Sequence, residues 1–173
     1  VYDDFIASAD TLVAQGLASR DRLAIAGGSN GGLLVAAVTN QRPDLCRAVL
    51  CSVPLTDMLR YHRFQYARIW TKEYGDPDVE AEYRWIRPWS PVHNVRPAAY
   101  PACLVTAGLN DGRVNAFHAR KLAALWQAAS KRPGFVLFVV VKPSRLPTLS
   151  DHLRRCELHG VPEKLRIAYP DDE

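Results

Sequence analysis

Short apolar runs alternate along this chain with segments in which apolar residues recur at helical spacing. The runs lack polar alternation, which is typical of buried parallel strands, and they lie at 23–26, 48–53, 102–107 and 135–141. Helical periodicity marks the segments 3–18, 33–38 and 115–130, and Gly16 and Pro43 offer stops for the first and second helices. This alternation of strands and helices predicts an α/β fold, a mostly parallel sheet flanked by helices.

The segment 54–101 interrupts this pattern between the second and third predicted strands. It holds three of the four Trp and six of the twelve Pro, and its periodicity allows two or three short helices at most. Long excursions between buried strands are where α/β proteins often form substrate pockets. We therefore expect binding residues in this segment.

Composition narrows the function classes. A content of 48% hydrophobic and 23% charged residues is ordinary for a globular protein, and the formal net charge is only +4. The basic residues are scattered and form no stripe with aromatic residues, so nucleic acid is not an expected partner. The apolar runs are far too short to span a bilayer, so a membrane is not an expected partner either.

The positions of the cysteines indicate the cellular compartment of the protein. The four cysteines form no metal-binding pattern, and they are Cys46, Cys51, Cys103 and Cys156. They lie in or near apolar stretches, which favours buried free thiols in a reducing compartment over two disulfides in a secreted protein. No charged-then-apolar leader segment opens the sequence, so we predict a cytoplasmic location. Because the cysteines form no metal-binding pattern, we also predict no metal site.

A serine-centred glycine motif is the part of the sequence that indicates chemistry. Residues Gly27 to Gly31 fit G-x-S-x-G, and they follow a predicted strand and precede a predicted helix. In a nucleophile elbow the serine, here Ser29, occupies a strained turn that exposes its hydroxyl, and small neighbours let strand and helix approach. The N–H of Asn30 would then start a helix and could bind an oxyanion. The alternative is a glycine-rich turn that binds phosphate or only packs tightly.

A serine nucleophile needs a base and a group that orients the base. Asp111 follows the third predicted strand, at the end where α/β active sites lie, and the order Ser29 then Asp111 matches this kind of triad. His152 lies beyond the last predicted strand and is the candidate base, whereas His159 lies further on. The remaining histidines come too early or on a helix, and we expect structural roles for them: His62, His93 and His118.

The sequence around these residues resembles the catalytic domain of the prolyl oligopeptidase family of serine peptidases. The similarity covers residues 3–130, with matching segments at 22–35, 57–64, 73–76, 90–94 and 110–114. It implies a partial α/β-hydrolase fold. The family's catalytic histidine stands in a Gly-His-Gly context, which the residues around His152 lack, and the similarity fades after residue 131.

The resemblance implies a role for each catalytic position. Ser29 would attack the carbonyl on the C-terminal side of a proline and form an acyl-enzyme. The N–H of Asn30 would stabilise the oxyanion, and Asp111 would orient the base, for which His152 is the candidate. No metal or organic cofactor is implied.

The resemblance also implies a proline pocket. Trp70 would stack on the proline ring, Tyr74 and Val114 would help line the pocket, and Arg113 would donate to a substrate backbone carbonyl. A flat indole suits a rigid pyrrolidine ring, and Arg is a fixed fork of donors. The expected substrates are short proline-containing peptides. Without the resemblance, Trp70 would be expected in the core and Arg113 on the surface.

Domain organisation follows from the same comparison. We expect residues 1–134 to form a partial α/β-hydrolase catalytic domain, and residues 135–173 to add its last strand and a divergent C-terminal tail. Earlier strands, a second oxyanion donor and the family's substrate-gating β-propeller are expected outside this sequence. Two alternatives to the peptidase stay open: an esterase or acyl-peptide hydrolase with the same elbow, and a catalytically inactive remnant. The isolated chain is expected to be poorly soluble or inactive.

Overall fold

The computed structural model describes residues 1–131 and 136–141. Its strands are β1 (Ala24–Gly28), β2 (Ala48–Ser52), β3 (Ala102–Gly108) and β4 (Val136–Val141). Its α-helices are α1 (Tyr2–Ala14), α2 (Asn30–Gln41), α3 (Thr71–Tyr74), α4 (Glu80–Ile86) and α5 (Phe117–Ala129). Between β2 and β3 there are also 3-10 turns at Tyr61–Arg63, Ala67–Trp70 and Pro91–His93.

The four strands form one parallel sheet in the order β1-β2-β3-β4. Gly28 pairs with Ser52, and Ser52 pairs with Thr106, so the carboxyl ends of β1, β2 and β3 lie side by side. The predicted parallel sheet flanked by helices is therefore confirmed. This register brings the turn after β1 and the loop after β3 to the same edge, which is what a shared site requires.

All three predicted helices differ from their predicted bounds: α2 covers Asn30–Gln41 rather than 33–38, and the other two differ for local reasons. α1 begins at Tyr2 and ends at Ala14, two residues before the predicted stop at Gly16, where the chain turns with a φ of +72°. α5 begins at Phe117 rather than at 115, and the side chain of Asn115 accepts the amide hydrogen of Phe117 at 3.0 Å. The predicted boundary between residues 134 and 135 stays a prediction, because 132–135 and 142–173 are outside the described residues.

The main core lies against the sheet. Residues 103–107 of the central strand β3 are all buried, which explains why this run is apolar throughout instead of alternating. Asn40, buried on α2, connects three parts of the molecule. Its Oδ1 accepts the indole hydrogen of Trp126 on α5 at 2.8 Å, and its Nδ2 donates to the carbonyl of Pro91 at 2.8 Å.

A second apolar cluster joins the 54–101 excursion to the start of α2 and to the loop before α5. Its buried members are Leu33, Leu55, Met58, Tyr61, Ala67, Ile86 and Val114. Three partly buried aromatic residues pack against it, namely Trp70, Tyr74 and Trp89. The excursion contains only α3, α4 and short turns, as its weak periodicity predicts, so this cluster replaces regular structure as its main support.

Three of the four cysteines are described, and each is buried and free of disulfide bonds: Cys46, Cys51 and Cys103. Burial raises the pKa of the Cys51 and Cys103 thiols above the ordinary range, which keeps them protonated. These three behave as small apolar core residues, while Cys156 lies outside the described residues. Within 1–131 and 136–141, none of the helices has the length and apolar content that crossing a bilayer requires.

Candidate active site

Ser29 stands in a strained turn between β1 and α2. Its backbone has φ 56° and ψ −117°, a left-handed conformation that costs a non-glycine residue about 1–3 kcal/mol. Two hydrogen bonds hold this conformation: the Ser29 amide donates to the Ser52 carbonyl at 3.0 Å, and its carbonyl accepts the Leu33 amide at 3.1 Å. The sheet and the first turn of α2 therefore enforce the elbow.

Close backbone approach explains some of the glycines around Ser29. A Cβ on Gly27 would lie 2.1 Å from the Gly31 carbonyl oxygen, and one on Gly32 would lie 2.8 Å from Pro54 Cα. Gly31, the last glycine of the motif, has nothing within 4 Å of such a Cβ. The sequence therefore marks Gly27 correctly, but the second tight position is Gly32, one residue beyond the motif.

Asn30 is the first residue of α2, and it is exposed. Backbone N–H groups in the first turn of a helix have no acceptor within the helix. The Asn30 N–H is thus available next to the Ser29 hydroxyl, at the helix end that favours negative charge. This is the position that the sequence assigns to an oxyanion donor.

The loop after β3 fixes the Asp111 carboxylate. Its Oδ1 accepts the backbone amides of Arg113 at 2.8 Å and Val114 at 3.0 Å, and its carbonyl accepts the Gln65 amide group at 3.0 Å. Among the described residues, Oδ2 has no hydrogen-bond partner. One carboxylate oxygen is therefore immobilised, and the other is left to accept a proton donor such as an imidazole N–H.

Arg113 connects the aspartate loop to the elbow. Its guanidinium donates to Ser29 Oγ at 3.4 Å, although the two residues belong to different strand ends. Ser29, Asp111 and Arg113 thus come together at the carboxyl edge of the sheet, as the sequence predicts. The contact with the serine hydroxyl itself is new, since the sequence assigns this guanidinium only to a substrate carbonyl.

The three residues predicted to form a proline pocket share one apolar cluster. Val114 is buried, whereas Trp70 and Tyr74 are partly buried and keep surface available to a ligand. Tyr61 supports them: its ring meets Tyr74 edge-on with centroids 5.7 Å apart, and its hydroxyl donates to the Gly75 carbonyl at 2.6 Å. Burial raises the pKa of Tyr74 to about 12, so its phenol stays protonated.

A buried polar network connects the excursion to α5, and the sequence does not predict it. His118 Nδ1 accepts the backbone amides of Thr56 at 3.1 Å and Asp57 at 3.0 Å. Burial lowers the pKa of His118 to about 4, so the ring is neutral and can accept. Lys121 pairs with the fully buried Asp57. The one signal in the sequence is an acid in an apolar context shortly after β2.

None of the three described histidines hydrogen-bonds to Ser29 or Asp111. His62 pairs with Asp78 at 3.0 Å, and His93 lies 2.8 Å from Ser90 Oγ. These contacts agree with the structural roles expected for His62, His93 and His118. The candidate base His152 lies outside the described residues.

Two further surface features are candidates for ligand sites, namely a cleft and a group of His and Asp side chains. A cleft of about 810 Å³ is lined by Asn30, Tyr74 and Trp85 among others, but not by Trp70 or Arg113. His62, Asp76 and Asp78 place potential metal ligands within 4.8 Å of one another. Asp78 already bonds to His62 and to Arg63 at 2.8 Å, so this group is an ion-pair network.

Comparison with known proteins matches this arrangement to one family. The model of the prolyl oligopeptidase family matches residues 1–142. A peptidase of Sinorhizobium fredii, itself uncharacterized, is 46% identical over 73% of this chain and 18% of its own length.

Solved structures that resemble this chain point to the same family. One from a study of two prolyl endopeptidases is 46% identical with a TM-score of 0.80, covering 82% of this chain and 21% of that chain. Prolyl oligopeptidase B of Galerina marginata is 38% identical with a TM-score of 0.78, covering 80% of this chain and 20% of that chain. The chain thus spans about a fifth of the length of these relatives. It belongs to the prolyl oligopeptidase family and forms part of an α/β-hydrolase fold.

Proposed function

We propose that this chain is part of a serine peptidase that hydrolyses peptide bonds after proline. The observation that carries the proposal is the strained Ser29, whose Oγ is 3.4 Å from a guanidinium on the loop of Asp111. A strained serine at a strand-to-helix turn, beside a fixed carboxylate at the same sheet edge, fits nucleophilic catalysis better than phosphate binding or packing. Relatives named prolyl endopeptidases support the substrate class.

In the proposed reaction, Ser29 Oγ attacks the carbonyl carbon that follows the proline ring and loses its proton to the base. The Asn30 N–H donates to the oxyanion of the tetrahedral intermediate. The base then gives the proton to the leaving amine, the peptide C–N bond breaks, and an acyl-enzyme remains. Water activated by the same base releases the acyl group and restores the Ser29 hydroxyl.

We assign the base to His152 and its orientation to Asp111. Asp111 Oδ2 has no partner among the described residues, which suits an acceptor for the imidazole Nδ1–H. Variants of Galerina marginata prolyl oligopeptidase B that lack a serine, an aspartate or a histidine were solved with peptide substrates. Those substitutions are what a Ser-Asp-His mechanism would suggest, and they support the same three residue types here.

Proline selection is assigned to the Trp70, Tyr74 and Val114 group. The exposed part of the Trp70 indole offers a flat apolar face, and Tyr74 is held edge-on by Tyr61. Arg113 would exchange its Ser29 contact for a substrate carbonyl when a peptide binds. That exchange would free the serine hydroxyl at the moment the scissile bond arrives.

A fluorophosphonate probe tests the nucleophile, because it phosphonylates only an activated serine. Because the isolated chain is expected to be inactive, the test uses the whole protein that contains it, and we expect labelling that is lost in Ser29→Ala and in His152→Ala. The control Ser8→Ala removes an exposed serine hydroxyl on α1 and should label normally. A folded whole protein whose Ser29 does not label would support the inactive remnant and refute the peptidase.

Reporter substrates then test specificity. A Gly-Pro reporter should be cleaved in preference to a Gly-Ala reporter, and Trp70→Ala should reduce that preference while fluorophosphonate labelling persists. Equal cleavage of both reporters by the wild type would favour the esterase or acyl-peptide hydrolase, which shares the elbow but not the proline pocket.

A further inference from the structure

A cleft separate from the candidate active site carries an excess of positive charge. Its volume is about 380 Å³, and Ser29, Asp111 and Arg113 do not line it. Three arginines, one histidine and a single aspartate provide its ionisable lining: Arg60, Arg63, Arg87, His93 and Asp78. Leu59, Pro77 and Tyr83 supply the remaining walls.

The arginines differ in how far their donors are already used. Arg63 bonds to Asp78 at 2.8 Å, so that pair neutralises itself. Arg60 reaches the buried Asp57 through one nitrogen at 3.3 Å and keeps its other donors. Within the described residues, the Arg87 guanidinium has no hydrogen bond or ion pair. Two cationic forks therefore face this cleft with donors to spare.

His93 gives the cleft a positioned ring. Ser90 Oγ lies 2.8 Å from its Nδ1 and accepts the Met58 amide at 3.0 Å, so the ring is held in place. Its side chain is 19% exposed, and Nε2 is 3.7 Å from Asp57 Oδ1. The ring lines the cleft beside the two arginines and can report what binds there.

We propose that this cleft is a binding site for a phosphate-type oxyanion, held by Arg60 and Arg87 and bordered by His93. Guanidinium groups match phosphate because each offers two parallel N–H donors to a pair of oxygens. A tetrahedral oxyanion has enough acceptors for two such forks, whereas a carboxylate has only two oxygens in one plane. The site does not depend on the peptidase function, because it shares no residue with it.

Calorimetric titration of the full chain with inorganic phosphate at constant ionic strength tests the proposal. We expect saturable binding that weakens about tenfold in Arg87→Gln, because one charge-assisted fork is lost. The matched control is Arg84→Gln, which removes the same charge from the same stretch of chain. Arg84 is exposed, pairs with Glu80 at 2.6 Å and does not line the cleft.

Three results would overturn the proposal: no saturable binding to the folded wild type, equal weakening in Arg84→Gln, or acetate binding as tightly as phosphate. The first two would leave only general charge attraction, and the third would exclude tetrahedral recognition. Arg60→Gln provides a second cleft variant and should also weaken phosphate binding.

His93 offers an independent measurement. Burial lowers its pKa, as do the charges of Arg87, Arg60 and Lys121, while Asp57 opposes them. A bound phosphate would offset the arginine charges, so the pKa of His93 measured by NMR titration should rise when phosphate is added. In Arg87→Gln the pKa of His93 should already be higher, and its response to phosphate should shrink. An unchanged pKa at saturating phosphate would contradict the site.

Discussion

The elbow and the excursion that covers it are stabilised in opposite ways. Around Ser29 the stabilising contacts are between backbone atoms: Gly27 lies against the Gly31 carbonyl, and the Ser29 amide donates a hydrogen bond to β2. The excursion 54–101 is instead held by side chains that reach distant elements, as His118 does at Thr56 and Asp57. The first region therefore depends on the absence of side-chain atoms, and the second depends on particular ones.

The largest effect is expected at the elbow. Gly27→Ala would place a Cβ 2.1 Å from the Gly31 carbonyl oxygen, and neither backbone segment can move without breaking the β1–α2 turn. We expect a loss of more than about 4 kcal/mol in the free energy of unfolding, measured by urea denaturation.

Gly31→Ala is the matched control for this comparison. Nothing lies within 4 Å of the added Cβ, and the position is in the first turn of α2. Alanine should therefore stabilise the chain slightly, by about 0.4–1 kcal/mol. Similar losses in both variants would show that the backbone contact does not hold the elbow.

The pH dependence of stability should reveal the excursion's dependence on His118. Its pKa falls from 6.5 to about 4 on folding, so below pH 6.5 the unfolded chain takes up a proton that the folded chain excludes. The stabilisation from the neutral ring is complete above pH 6.5 and is lost as the pH falls toward 4, a change of about 3 kcal/mol.

The variant His118→Asn isolates this effect. The Asn side-chain oxygen can accept the same amides without titrating, so thermal melts at pH 4.5 and pH 7 should differ less than they do in the wild type. An equal pH dependence in the variant would assign the acid loss to other groups.

A smaller loss is expected at the ion pair between Asp57 and Lys121. Lys121→Met removes the main partner of a fully buried carboxylate, but Arg60 remains nearby and Lys121 is 40% exposed. We expect the free energy of unfolding to fall by about 2 kcal/mol, which is less than the roughly 3–5 kcal/mol lost when a fully buried ion pair is broken. The exposed Lys131→Met should be nearly neutral in the same urea titration. Equal losses of stability in Lys121→Met and Lys131→Met would show that the ion pair contributes no more than a weak surface contact.

The smallest effect on stability concerns Tyr61, which supports the proposed proline pocket. Tyr61→Phe removes a hydroxyl that donates to the Gly75 carbonyl at 2.6 Å inside the second cluster. We expect a loss of about 1 kcal/mol in thermal unfolding experiments. Tyr66→Phe removes the same group from a side chain that is 72% exposed and should leave the melting temperature unchanged.

The same contrast explains what the sequence could predict. The parallel sheet, the elbow and the aspartate loop follow from runs and motifs that are local in the chain, because strand order and register then bring their ends together. Asp57, His118 and Lys121 meet only after folding, and no spacing rule connects them. Gly32 also requires the structure, since Pro54 is what approaches it.

The left-handed backbone of Ser29 has a consequence for the choice of residue. Glycine adopts φ near 56° without strain, so Ser29→Gly should make the fold more stable while removing the hydroxyl. The proposed nucleophilic role of Ser29 accounts for a residue that folding alone would not favour at this position.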